Sequence, residues 1–252
     1  MGYPAHIEYT LHLADNALIL GHRNSEWTGH GPILEQDIAL SNIALDLIGQ
    51  ARYLYQYAAR MIDSDVTEDT LAYGRDAWDF RNCLLVEQEN GDWGKTVLRQ
   101  FLFSAWQYFF YGRLQQSQDR DLAAIAEKSL KEVTYHLRWG SEWVIRLGDG
   151  TKESHARMER ALDQLWKFTG ELFVPAAYER ALSVAGVAVD LHSIRSSWEE
   201  RVAEVLGEAQ LTEGAGDTWM QNGGKEGRHT EHLGYLLAEM QFLQRTYPGC
   251  EW

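Results

Sequence analysis

The chain has 252 residues, enough for one large domain with an ample core. Apolar residues make up 45% and charged residues 24%, as in ordinary soluble globular proteins, and the net charge of −14 argues against nucleic acid or an anionic membrane as the main partner. The two distant cysteines, the interrupted N-terminal apolar segment and the lack of a run of about 18 apolar residues predict a reduced, cytoplasmic protein.

Helical periodicity dominates from the first residues onward. An amphipathic segment at 8–23 is followed by a long helix that we expect to begin near Pro32. This second helix has two apolar stripes: Leu34, Ile38, Leu45, Ile48 and Tyr55 form one, and Ile43, Leu47 and Leu54 form the other. A helix that is apolar on two sides is typical of the middle of a bundle.

Later segments continue the helical pattern. Short helical pieces are expected within 68–90, longer helices at 94–114, 121–150, 154–173 and 191–209, and a last helix at 228–248 after a Gly-rich loop at 213–224. The strand-like run at 184–190 is too short to build a sheet. The sequence therefore predicts a single all-α domain over 1–252, a helical bundle with additional C-terminal helices.

The stretch LLVEQENGDW raises the question of a metal site. A di-iron bundle takes one Glu from each of two helices and a Glu-x-x-His pair from each of the other two. Glu87 and Asn90 have this spacing, but an amide stands in the place of the imidazole. On the preceding long helix, Asp46 is a candidate carboxylate between two leucines.

The remaining helices do not complete a di-iron set. Residues 93–118 contain neither Asp nor Glu, and the residue three before His136 is Val133. Glu132 lies four residues before His136 and points in a different direction. We therefore expect no working di-iron centre and no bound metal or cofactor in this chain, and we interpret Asp46, Glu87, Asn90, Val133 and His136 as positions of a degenerate di-iron site.

The polar members of this set, Asp46, Glu87, Asn90 and His136, are expected to meet as a hydrogen-bonded cluster inside the bundle, since buried charges need partners. Separate, solvated or locally capped positions are the alternative. The later segment RHTEHLG is not an HExxH motif, because His229 and His232 are three residues apart with Glu231 between them. A polar helix start capped by Thr230 is favoured over a two-His metal site, and its role stays open.

Several blocks of the sequence resemble one known family. They are EWTGHGPILEQDIALSNIALDLIGQAR, LLVEQENG, KEVTYHLRW, LWKFTGELF and GGKEGRHTEHLGYLLAEMQFLQRTYPG. In order, they are similar to the C subunits of bacterial phenylacetyl-CoA epoxidase, the ring 1,2-phenylacetyl-CoA monooxygenase. The resemblance implies a ferritin-like, metal-free scaffold for an A subunit that carries the di-iron site. It also implies a complex that epoxidises the aromatic ring with O₂ and reducing equivalents from a reductase subunit.

The resulting expectation is a non-catalytic structural subunit for aerobic phenylacetate degradation. Its partners would be the catalytic A subunit and further subunits of the complex, including the reductase, and a homodimer in isolation is an alternative assembly. Two other functions stay open. One is a stand-alone metal-dependent oxygenase that uses Asp46, Glu87 and His136; the other is a bundle that binds an apolar ligand such as an acyl-CoA.

Overall fold

The computed structural model describes residues 3–212 and 219–250. In chain order its α-helices are α1 (Ala5–Ser25), α2 (Leu34–Ile62), α3 (Glu68–Tyr73), α4 (Leu84–Glu87), α5 (Trp93–Leu114), α6 (Arg120–Gly148), α7 (Lys152–Trp166), α8 (Ala177–Val184), α9 (His192–Glu208), α10 (Glu231–Met240) and α11 (Phe242–Thr246). Short 3₁₀ turns lie at Ala77–Asp79, Gly170–Phe173 and Gly224–Glu226. The prediction of an all-α fold is confirmed.

Helices α1 and α5 form the centre of the bundle. Every side chain from Ile7 to Leu20 on α1 is buried, and so is every residue from Gly94 to Gln107 on α5. Burial on all sides requires polar residues within these segments to find partners inside the protein. The central helices are therefore also the ones that carry most of the buried polar side chains described below.

Helices α2 and α6 pack on the outside of this pair and run antiparallel to each other. Side-chain hydrogen bonds join Gln36 to Trp139, Asp46 to His136 and Gln50 to Glu132, so residue numbers rise along α2 as they fall along α6. The helices pack closely where glycine allows it. A Cβ atom at Gly21 of α1 would lie 3.1 Å from Cγ1 of Ile48, and one at Gly140 of α6 would lie 3.1 Å from Cα of Phe101.

The expectation that α2 lies in the middle of the bundle is wrong. One predicted stripe is buried, with Ile43, Leu47 and Leu54 each at 0% exposure. The other faces outward over most of its length, and only its last member, Tyr55, is buried. Both stripes have helical spacing, so periodicity alone could not show which of them faces solvent.

The helix ends differ slightly from the predicted ones. Helix α2 begins at Leu34, two residues after Pro32, and the side chain of Asp37 accepts a hydrogen bond of 2.9 Å from the backbone of Gly31 just before it. Helices α5, α6 and α7 begin after Asp92, Asp119 and Thr151, whose side chains accept backbone N–H bonds. Such caps satisfy donors that have no partner within the helix.

The C-terminal part is more divided than expected. The predicted helix at 154–173 ends at Trp166, and the predicted last helix begins at Glu231 and breaks at Gln241. There the Gln241 side chain donates to the backbone oxygens of Ala72 and Arg75. The Gly-rich loop lies outside the described residues at 213–218. One apolar core includes residues from Ile7 to Leu237, and the single domain over 1–252 stays a prediction.

Candidate functional site

Asp46 and His136 form a polar contact between α2 and α6. Nε2 of His136 donates to Oδ2 of Asp46 at 3.0 Å. The imidazole is fully buried, whereas the carboxylate side chain is 38% exposed. Nδ1 of His136 has no protein partner. The predicted cluster included both residues, and the two helices bring these two together as one imidazole and one half-exposed carboxylate.

One turn further along, a second pair joins the same two helices. Nε2 of Gln50 donates to Oε2 of Glu132 at 2.9 Å, and the hydroxyl of Tyr111 on α5 donates to Oε1 of Gln50 at 3.4 Å. Burial raises the pKa of Glu132; the Gln50 bond lowers it, and the nearby charge of Asp46 raises it. An amide and a phenol thus occupy positions next to the carboxylate.

The facing sides of α1 and α5 are linked by neutral groups. Nδ2 of Asn24 donates to Oε1 of Gln100 at 2.6 Å, and Nε2 of Gln100 donates to the hydroxyl of Ser104 at 2.7 Å. Val133 of α6 is fully buried in the apolar core. Within 3–212 and 219–250, no group of three or more His, Cys, Asp and Glu side chains is arranged to hold one metal ion.

Glu87 lies away from the bundle interior that joins α2 to α6. It is the last residue of the short helix α4, and its side chain is fully buried. Its carboxylate accepts hydrogen bonds from Nδ2 of Asn82 at 2.8 Å, Nδ1 of His229 at 2.7 Å, and both the backbone N–H and the hydroxyl of Thr230 at 2.7 Å. Glu87 therefore fixes the start of α10 to the middle of the chain.

Asn90 lies in a third place, on the loop between α4 and α5. Its Nδ2 donates to the backbone oxygen of Arg23 at 2.8 Å, and its Oδ1 accepts from Arg99 at 2.6 Å. The predicted cluster of Asp46, Glu87, Asn90 and His136 is thus wrong, because only Asp46 and His136 meet. Such a cluster requires Glu87 and Asn90 to share a helix face, but α4 ends at Glu87.

His229 and His232 do not form a two-His site. The ring of His229 is bound at both nitrogens, by Glu87 and by the backbone oxygen of Phe80 at 3.1 Å from Nε2. Thr230 is the N-cap residue of α10, as predicted, but its side chain donates to Glu87 and makes no capping bond. The preference for a helix start over a metal site agrees with these contacts of His229.

Two buried charge networks were not found by sequence reasoning. In one, Asp15 of α1 binds the guanidinium of Arg75 and accepts from the Tyr55 hydroxyl at 2.5 Å. In the other, Nζ of Lys225 donates to Oε2 of Glu179 at 2.9 Å, and Oε1 of Glu179 lies 3.8 Å from Nε2 of His12. The only sequence signal was a set of charged residues inside otherwise apolar segments such as LHLADNALIL.

Long antiparallel helices with polar side chains facing inward define a ferritin-like helical protein. The chain belongs to the family described as "Phenylacetic acid catabolic protein", whose model matches residues 2–252. It is similar to the C subunit of 1,2-phenylacetyl-CoA epoxidase from Escherichia coli (strain K12), with 48% identity over 244 residues that cover 97% of this chain and 98% of the relative. In the described residues, none of the helices is long and apolar enough to cross a membrane.

Proposed function

We propose that this chain is the non-catalytic structural subunit of a multicomponent phenylacetyl-CoA epoxidase and supports a catalytic subunit that holds the di-iron site. The likeness to the C subunit of an epoxidase over nearly the whole of both chains supports membership in such a complex. Because that relative is named as one subunit of an epoxidase, it implies a complex with further subunits. Its partners would include the catalytic A subunit and the reductase of the same complex.

The observation that carries the non-catalytic role is that the long helices α1, α2, α5 and α6 offer few carboxylates and that these already have partners within the protein. Helix α5 contributes none, and the carboxylates at the polar contacts of α1, α2 and α6 are already bound: Glu8 by Arg81, Asp15 by Arg75, Asp46 by His136, and Glu132 by Gln50. Two iron ions need carboxylates from all four helices and two imidazoles. The residues present therefore do not fit a di-iron centre, and we assign no iron to this chain.

The alternative of a stand-alone oxygenase requires Asp46, Glu87 and His136 around one metal ion. Glu87 is instead enclosed by Asn82, His229 and Thr230 and takes no part in the contact between α2 and α6. Each of its carboxylate oxygens already accepts two hydrogen bonds from the protein. The geometry gives this alternative no support.

The test is metal binding combined with assembly. The purified full chain, reconstituted anaerobically with Fe(II) and desalted, should retain no stoichiometric iron by elemental analysis, while the A subunit of the same host, treated in parallel, should retain it. Co-expression of the two should give a stable complex that buries more than about 2,000 Å², as permanent assemblies do. Two irons per isolated chain, or failure of the two proteins to co-purify, would contradict the proposal. Tight binding of phenylacetyl-CoA by the isolated chain would instead favour a ligand-binding bundle.

A further inference from the structure

The outward face of α2 carries an apolar stripe that consists of Leu34, Ile38, Leu45 and Ile48. The first three side chains are 71%, 51% and 65% exposed. At about 100° per residue the four positions fall within about 80° of one another around the helix. From Leu34 to Ile48 the helix rises about 21 Å, at about 1.5 Å per residue. Single exposed leucines are ordinary on protein surfaces, but an aligned row of this length is typical of a binding face.

The stripe leads into a groove between α2 and α3. The groove has a volume of about 310 Å³, and its walls include Ile48 of the stripe together with Leu18, Ala51, Tyr55 and Tyr73. This space is large enough for one or two apolar side chains of a bound helix. The row of exposed side chains and the groove thus form one continuous apolar track along α2.

Negative charge outweighs positive charge along this track. Between Leu34 and Arg52, α2 has three carboxylates, on Glu35, Asp37 and Asp46, and one cation, on Arg52. Glu68 and Asp69 stand at the mouth of the groove, where Glu68 lies 3.4 Å from Nε of Arg52. A partner that covers the apolar track must therefore meet an acidic border.

We propose that the α2 stripe is the docking face for an apolar helix of a different subunit, flanked by Lys or Arg side chains. This inference rests on the proposed function. A second copy of this chain is a poor occupant, because it would place the same carboxylates against each other, and like charges across an interface oppose binding. A basic-flanked helix would bury the leucines at the centre of the contact and pair with the acidic border at its rim.

The experiment uses the full chain co-expressed with the other epoxidase subunits of the same host, and it measures their affinity after purification. Leu45→Glu and, independently, Leu34→Glu should each weaken the complex at least tenfold, because a charge is placed within the apolar stripe. Val184→Glu, at a side chain 93% exposed on α8, is the matched control and should change the affinity less than twofold. Thermal melts of the free variants should match that of the native chain, since all three side chains are exposed.

Charge is tested separately. Glu35→Lys and Asp69→Lys should each weaken the complex, and high salt should weaken the native complex more than either variant complex, because surface ion pairs are screened. A native complex that Leu45→Glu and Leu34→Glu leave intact would overturn this inference while the scaffold role stands. Absence of any native complex would overturn the scaffold role itself. A homodimer of the isolated chain that Leu45→Glu converts to monomer would assign the stripe to self-association and overturn the inference.

Discussion

His229 donates from both of its ring nitrogens, to the carboxylate of Glu87 at 2.7 Å and to the backbone oxygen of Phe80 at 3.1 Å. An ionised carboxylate and a backbone carbonyl are both acceptors. Beside an ionised Glu87, both contacts are satisfied when the ring carries two N–H groups as an imidazolium, in line with the raised pKa of His229. Through this contact a buried ion pair joins the start of α10 to Glu87, which lies 142 residues earlier in the sequence.

The ion pair predicts a pH dependence of stability. Burial lowers the pKa of His229, but its bond to Glu87, the charge of Glu87 and the Phe80 carbonyl raise it, and the net direction is upward. The folded state therefore binds a proton that the unfolded state releases near pH 6.5. The stabilisation is complete below about pH 6.5 and is lost as the pH rises through the folded-state pKa.

The measurement compares urea unfolding of the native chain and His229→Gln between pH 6 and 9. The difference in unfolding free energy between the two should shrink as the pH rises. His192→Gln, at an exposed histidine of α9, serves as the control and should give a constant difference. The native chain is compared with a variant, and not studied alone, because His12 changes the unfolding free energy with pH in the opposite direction. Burial lowers the pKa of His12 to about 4, so its contribution is lost as the pH falls below about 6.5.

Glu87→Gln should destabilise the chain by roughly 1–3 kcal/mol, because an NH₂ group replaces an acceptor oxygen among donors that then have no partner. Asp46→Asn is the matched substitution at the hydrogen bond to His136 and should cost less than about 1 kcal/mol, because the Asp46 side chain is 38% exposed and water can replace the lost partner. Urea midpoints of both variants check this. Equal costs would show that the four hydrogen bonds of Glu87 give no added stability.

In an assembled complex that contains Glu87→Gln, activity should follow the amount of complex; loss of activity in a stable complex would contradict a structural role.

The long helices could be predicted from the sequence because apolar residues recur at helical spacing over many turns. The short helix α4 is different: its four residues carry too little periodic signal to place an end, so the spacing of Glu87 and Asn90 wrongly predicts a shared helix face. Gly91, with φ of 58°, belongs to the turn that follows. The partners of Glu87 lie up to 143 residues away, and no local pattern reports a contact at that distance.

The contact between Asp46 and His136 was predictable as part of the larger expected cluster, since both residues lie on long helices whose periodicity the sequence shows. The buried pair of Asp15 and Arg75 was not, because Arg75 follows α3 in an irregular segment. Likewise, the two apolar stripes of α2 predict that both faces pack against the protein, but only one of them is buried in the structure. The sequence pattern gives the period of an apolar stripe but not the identity of whatever covers it.

Arg75→Ala should be among the most damaging single changes in the chain. It leaves the carboxylate of Asp15, which is fully buried, with the Tyr55 hydroxyl and the backbone N–H of Arg81 as its remaining donors. Removal of one partner of a buried ion pair costs about 3–5 kcal/mol. Arg52→Ala, at the exposed pair with Glu68, is the control and should cost at most about 1 kcal/mol. Denaturant unfolding of both variants would contradict this prediction if the two costs were similar.

Substitution of glycine by alanine should have opposite effects on stability at two helical positions. In Gly140→Ala the new methyl group would lie 3.1 Å from Cα and 3.2 Å from Cβ of Phe101, so α5 and α6 must move apart. Overpacking of this kind costs about 1–3 kcal/mol. In Gly112→Ala the methyl group meets nothing within 4 Å, and alanine should stabilise α5 by about 0.5–1 kcal/mol. Thermal melts of the two variants should move in opposite directions from the native value. A Gly140→Ala variant as stable as Gly112→Ala would mean that the contact between α5 and α6 is looser than described.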